Sequence, residues 1–218
     1  MEIDKIKSLS LALNEVRKAH RLIFSYQERM LSLVKFIRNK LDFNDLYGVK
    51  HFSNPLSQSR GRIKLFDGIW VWDFLYTYVF EYYIGSIVMD DDSEISLSII
   101  QYTDTGFFDS ECEDRNDIKK FSPTEEAMSK LLFFLEDKPV KCKTLWDSID
   151  YTEQFVLDKK YACRSHKETV LYPKGENKNK LLLYSIPIEK FVDEDCALES
   201  LKDYLEFLKR NDIELDLV

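Results

Sequence analysis

Glycine and proline are scarce in this 218-residue chain, with six and five copies. Long flexible or polyproline linkers are therefore excluded. No low-complexity tract and no internal repeat occurs, which removes solenoids and propellers. The four cysteines, Cys112, Cys142, Cys163 and Cys196, are scattered and never form a Cys-x-x-Cys pair. That argues against a zinc ribbon and reads as free thiols in a reducing cytoplasm. No stretch of ~18 uncharged apolar residues is found, so no membrane span is expected. The nearest approach, Ile69 to Met89, contains Asp73 and Glu81. The opening Met1-Glu2-Ile3-Asp4-Lys5 is charged and does not read as a signal peptide. Phosphate-binding glycine loops, His-Glu-x-x-His and Gly-x-Ser-x-Gly are all missing. Neither a cofactor nor a resident metal is expected.

What is present begins with periodicity. In a heptad frame, position a falls on Ile6, Leu13, His20, Gln27, Val34 and Leu41. Position d falls on Leu9, Val16, Ile23, Met30 and Ile37. No proline or glycine interrupts residues 1–47, so the pattern predicts one helix roughly 50–55 Å long. A sustained a/d stripe is the signature of a coiled-coil seam. The expected oligomerisation residues are Leu9, Leu13, Val16, His20, Ile23, Gln27 and Met30. The polar a positions, His20 and Gln27, would fix register at some cost in stability. Phe24, Tyr26, Leu31, Leu33 and Phe36 widen the stripe in its second half. A core helix packed in the same chain is the competing reading.

Charge is divided unevenly. Residues 1–66 carry a net +7 and residues 67–218 a net −15. A basic arm can meet nucleic acid or an acidic protein surface. The helix cations are spread around several faces, however, which favours a basic helix complementing an acidic body. Within the loop that follows, Arg60, Arg62 and Lys64 alternate and would point one way in an extended segment. They are the candidate binding residues for an acidic ligand.

Further along, every even position from Trp70 to Tyr82 is aromatic. A period of two predicts a strand with an aromatic core face, long enough to need a bend or bulge. Asp90-Asp91-Asp92-Ser93 reads as an acidic turn into an antiparallel strand at Ile95–Thr103. Ser122-Pro123-Thr124-Glu125 is a helix start, although Leu131 to Leu135 could equally form a strand. Strands are expected at Gln154–Leu157, Thr169–Tyr172 and Leu181–Ile186, and a final helix at about Asp195–Arg210. The tail Ile213 to Val218 has the alternation of an edge strand.

One pattern suggests chemistry. Glu136-Asp137-Lys138 follows an apolar run, as in the Glu-x-Lys of PD-(D/E)xK metal-dependent nucleases. There the acid and an upstream Asp, here Asp109, Asp114 or Asp117, hold a divalent ion, and the lysine orients the attacking water. No Pro-Asp precedes it, and Asp158-Lys159-Lys160 repeats the motif equally well. Asp109, Glu136 and Lys138 are therefore the weak catalytic candidates. Cys163 and His166 are read as ordinary packing residues.

The expected fold class is α+β: a curved, mostly antiparallel sheet covered by a long N-terminal helix and a C-terminal helix. The expected division is a helical arm at 1–46 and an α+β body at 47–218. The expected function is a non-enzymatic interaction or scaffold protein of the cytoplasm, homodimeric through its first helix and meeting another protein. The alternatives are the nuclease and a nucleic-acid-binding module using the basic segment.

Overall fold

A computed structural model describes residues 2–52, 71–75, 77–89, 92–140, 146, 151–162, 168–171 and 179–218. The chain divides into two compact units, residues 1–37 and 38–218.

Helix α1 (Glu2–Lys40) is continuous over 39 residues, as expected of a segment free of helix breakers. Its single heptad register has two different fates. Ile6, Leu9, Leu13, Val16 and Ile23 are 39–63% exposed, whereas Met30, Val34 and Ile37 are at most 1% exposed. Leu11, Leu22 and Phe24 also face solvent.

The second unit is built on one open sheet of six antiparallel strands in the order β1-β2-β3-β4-β6-β5. The strands are β1 (Tyr47–His51), β2 (Val79–Val88), β3 (Ser93–Tyr102), β4 (Lys130–Pro139), β5 (Glu168–Leu171) and β6 (Lys180–Pro187). With the long first helix and a C-terminal helix, the architecture is α+β. Between the strands lie two short helices, α2 (Gly106–Asp109) and α3 (Lys159–Ala162). The C-terminal helix α4 (Glu194–Lys209) is capped by the Asp193 carboxylate, which accepts from the Cys196 amide at 2.8 Å. This is the N-cap arrangement that satisfies an orphan amide of the first turn.

Both faces of the sheet are buried. On one face, Phe133 and Tyr184 meet Tyr204 of α4 at ring separations of 4.7 and 5.5 Å, and Tyr184 meets Phe207 at 5.2 Å. On the other, Ile100, Leu132, Phe134 and Leu183 join Phe107 and Phe108 of α2 and Tyr151 and Phe155 in an aromatic core. Each buried ring contributes ~2 kcal/mol or more of hydrophobic stabilisation.

Gly85 makes the bend that the length of the aromatic strand demanded. The β2–β3 register shifts between Tyr83 and Gly85, and Gly85 sits at φ +113°, a conformation open to glycine. The bulge lets Ile84 O accept from the Asp45 amide at 3.2 Å.

Several local expectations are corrected. The aromatic strand does not run through Val71–Phe74, which is a 3₁₀ turn, and pairing starts at Val79; Trp70 lies outside the described residues. The odd positions Val79 and Glu81 are buried as well. A strand covered on both faces loses its polar alternation. Ser122-Pro123 starts only one turn, closed by the Ala127 amide on Pro123 O at 3.0 Å. The chain then enters β4, where pairing on both sides outweighs the capping signal. Thr152–Val156 is a turn of π-helix instead of a strand. The tail 213–218 forms no strand, although the Val218 amide donates to Lys40 O at 3.0 Å. Among the described residues, no helix is long and apolar enough to cross a membrane.

Candidate functional site

Two features stand out: an exposed apolar stripe on α1, and a belt of polar side chains buried under the aromatic core.

The stripe comprises Ile6, Leu9, Leu13, Val16 and Ile23, with exposed His20 among them. The charges sit on the helix's other sides, where Lys18 Nζ pairs with Glu15 at 2.9 Å. Positions e and g between Leu9 and Ile23 are Ser10, Ala12, Arg17 and Ala19. Apart from Arg17, these flanks are small and uncharged. The expected seam shortens at its C-terminal end. Gln27 is half-buried and engaged, and Met30 is buried within the single chain.

The belt follows from strand register. Facing pairs place His51 of β1, Glu81 of β2, Ser96 and Ser98 of β3, and Glu136 and Lys138 of β4 on one face. Glu81 is held by two donors: His51 Nε2 reaches Oε2 at 2.7 Å, and the Tyr151 hydroxyl reaches Oε1 at 3.2 Å. Burial pushes the Tyr151 phenol well above its ordinary range, and the Glu81 charge adds to the shift. Tyr151 therefore stays a donor at any physiological pH. Its neighbour Tyr102, also raised by burial and then by Glu81, donates to Val156 O at 2.6 Å.

At the far end of the belt, Glu94 lies directly opposite Lys138, and Ser96 opposite Glu136. Lys138 Nζ donates to Glu94 Oε2 at 2.5 Å. Burial raises the Glu94 carboxyl, but hydrogen bonds from Lys138 and Ser86 and the Lys138 charge outweigh it, leaving it below the usual value. Asn179 Nδ2 donates to Glu136 Oε1 at 2.7 Å. Tyr83 stacks on Trp146 beside this cluster, with ring centroids 4.5 Å apart.

The structure thus brings Glu136 and Lys138 together with Glu94, not with Asp109. Asp109 ends α2, where its carboxylate accepts from Thr105 Oγ1 at 2.5 Å. Thr105 is tied to Met128, just before β4, by its amide to Met128 O at 3.0 Å. Glu136 lies six residues past Lys130, about 20 Å along the strand. Asp109 is therefore not brought to Glu136 and Lys138. Among the described residues, no three acidic, histidine or cysteine side chains converge on a metal position. Arg60, Arg62 and Lys64 lie outside the described residues. Sequence reasoning passed over Glu81, Glu94, Ser96 and Asn179. Glu81 carried a signal, as a charge within a strand pattern, while Glu94, just ahead of the predicted strand, and Asn179 carried none.

A protein-family model described as PM0109 matches residues 6–213, and the chain belongs to that family. No curated protein and no solved structure matches it significantly.

Proposed function

We propose that this chain is a protein–protein interaction protein that pairs with a second copy of itself through the first three heptads of α1. The observation that carries this is the split along one register: the same apolar stripe is exposed from Ile6 to Ile23 and buried from Met30 onward. Leaving five large apolar side chains in water forfeits about 1.5–3 kcal/mol each of burial free energy. A paired helix recovers much of it.

The flanks favour a second copy over an acidic partner. Recognition of an acidic helix would call for cations at e and g, which set partner choice in coiled coils. Ser10, Ala12 and Ala19 instead bring no like charge together when two basic helices meet. The unpaired Cys112 and Cys196 accord with a cytoplasmic setting.

Light scattering on the full chain tests the proposal. The expected result is a dimer that becomes a folded monomer in Leu13→Glu and Val16→Glu. A wild-type chain that stays monomeric at several hundred micromolar would refute self-association.

A further inference from the structure

We propose that the groove between α4 and the tail 213–218 is a docking site for a cationic peptide of another protein, which adds to the tail as a strand. The groove has a volume of about 390 Å³. One wall is a single face of α4, from Lys202 to Lys209, and the other is Ile213 to Asp216 of the tail. Two pins hold the tail in place. At the helix end Asp212 sits at φ +61°, where its amide donates to Lys209 O at 3.2 Å and the Ile213 amide donates to Leu208 O at 3.1 Å. That pair of bonds is a Schellman stop, and it leaves Ile213 buried. At the far end the Val218 amide donates to Lys40 O. Between the pins, residues 214–217 make no hydrogen bond to the backbone of any described residue. Their exposure has the period of two of a strand: Glu214 and Asp216 are exposed, Leu215 and Leu217 half-buried. Such a stretch offers the free N–H and C=O groups of a sheet edge, which an added strand can pair.

Charge selects the partner. Residues 194–218 carry eight acidic and three basic side chains, a net −5. Both charges on the tail wall are acidic, Glu214 and Asp216. Neither they nor Glu206 on the helix wall form an ion pair with a cation among the described residues. Lys202 and Lys209 flank Glu206 on α4 and leave the tail carboxylates unpaired. Leu205 and Leu215, both half-buried, are the apolar part of the lining. A strand laid beside residues 214–217 sets alternate side chains against Glu214 and Asp216, and the rest against Leu215 and Leu205. A segment that alternates lysine or arginine with apolar residues meets both demands. The tail of a second copy would set acid against acid across the pair, which is destabilising.

The probe is a fluorescein-labelled peptide, Leu-Lys-Leu-Lys-Leu-Lys, titrated with the full chain and followed by anisotropy. Saturable binding of one peptide per chain is expected. Leu205→Lys and Asp216→Lys should each weaken it about tenfold, by burying or opposing like charge, and both should melt with wild type. The block-ordered peptide Leu-Leu-Leu-Lys-Lys-Lys should bind more weakly than the alternating one. N-methylation of the odd or of the even peptide amides blanks one edge of the added strand at a time. One pattern should abolish binding and the other spare it. Equal binding by the block-ordered peptide, or by both methylated forms, would reduce the contact to charge and overturn strand addition. No binding at millimolar protein, or equal binding by wild type and both variants, would overturn the site itself. Binding that appears only after Arg60, Arg62 and Lys64 are changed to serine would give the groove to the chain's own basic loop and overturn an external partner.

Discussion

Lys138 and Glu94 face each other across β3 and β4 at 2.5 Å, but the lysine side chain is 1% exposed and the glutamate 17%. The two halves of the pair are therefore unequal. Glu94→Gln strands an ammonium that cannot reach water, at a cost of about 3–5 kcal/mol. Lys138→Met leaves a carboxylate that water can still solvate, and should cost less than half as much. Urea denaturation of the two variants reads the asymmetry directly.

The same pair sets an acid limit. The folded Glu94 carboxyl lies below its ordinary value of 4.5, so the contribution is complete above that pH and lost as the pH falls below it. Glu94→Gln should flatten the decline in melting temperature between about pH 5 and pH 3. An unchanged slope would show that other carboxylates set the acid limit.

Glu81 depends on His51 and Tyr151. His51→Leu removes a donor from a buried carboxylate and should cost about 1–3 kcal/mol, with Tyr151→Phe nearer 1 kcal/mol. Adding Glu81→Leu to His51→Leu should restore part of the loss, since two apolar groups leave no stranded charge. A double-mutant cycle from chemical denaturation measures the coupling.

Gly85→Ala would place a methyl carbon 3.2 Å from Asp45 N at φ +113°. The strain should lower stability by about 1–3 kcal/mol. A variant as stable as wild type would mean that the bulge relaxes into regular pairing.

His20 decides how two first helices would align. In a parallel pair an a position faces its own counterpart, so His20 meets His20. In an antiparallel pair it would face an apolar d side chain with no partner for its nitrogens. Oxidation of full-length Leu9→Cys should therefore link residue 9 to residue 9, as mapped by mass spectrometry. His20→Leu should tighten the dimer. A dimer by mass whose Leu9→Cys form does not cross-link would reverse the orientation while keeping self-association.

Much of the architecture was legible in residue order. The unbroken heptads gave α1, and the stripe Leu201, Tyr204 and Leu208 gave α4. Isoleucine and leucine runs gave β3 and β6. Local rules failed where tertiary pairing overrode them, as at Ser122, whose capping signal survives as a single turn before β4. They failed again at Trp72, whose Nε1 donates to Arg115 O at 2.7 Å from outside any strand. The polar cluster at the far end of the belt could not be read in advance. Its members come from residues 94, 96, 136 and 179, and only the β3–β4–β6 order makes them neighbours.

The belt also carries information about alignment. β3 and β4 are rich in interchangeable aliphatic and aromatic residues, and a ladder of that kind tolerates slippage. Sliding β4 by two residues in one direction sets Glu94 against Glu136. Sliding it the other way sets Lys138 against Ser96, with no anion opposite it. A slip of one residue carries the ammonium to the wrong side of the sheet. Each mispairing buries an uncompensated charge, so the Glu94–Lys138 contact works as a key that admits a single alignment of the two central strands.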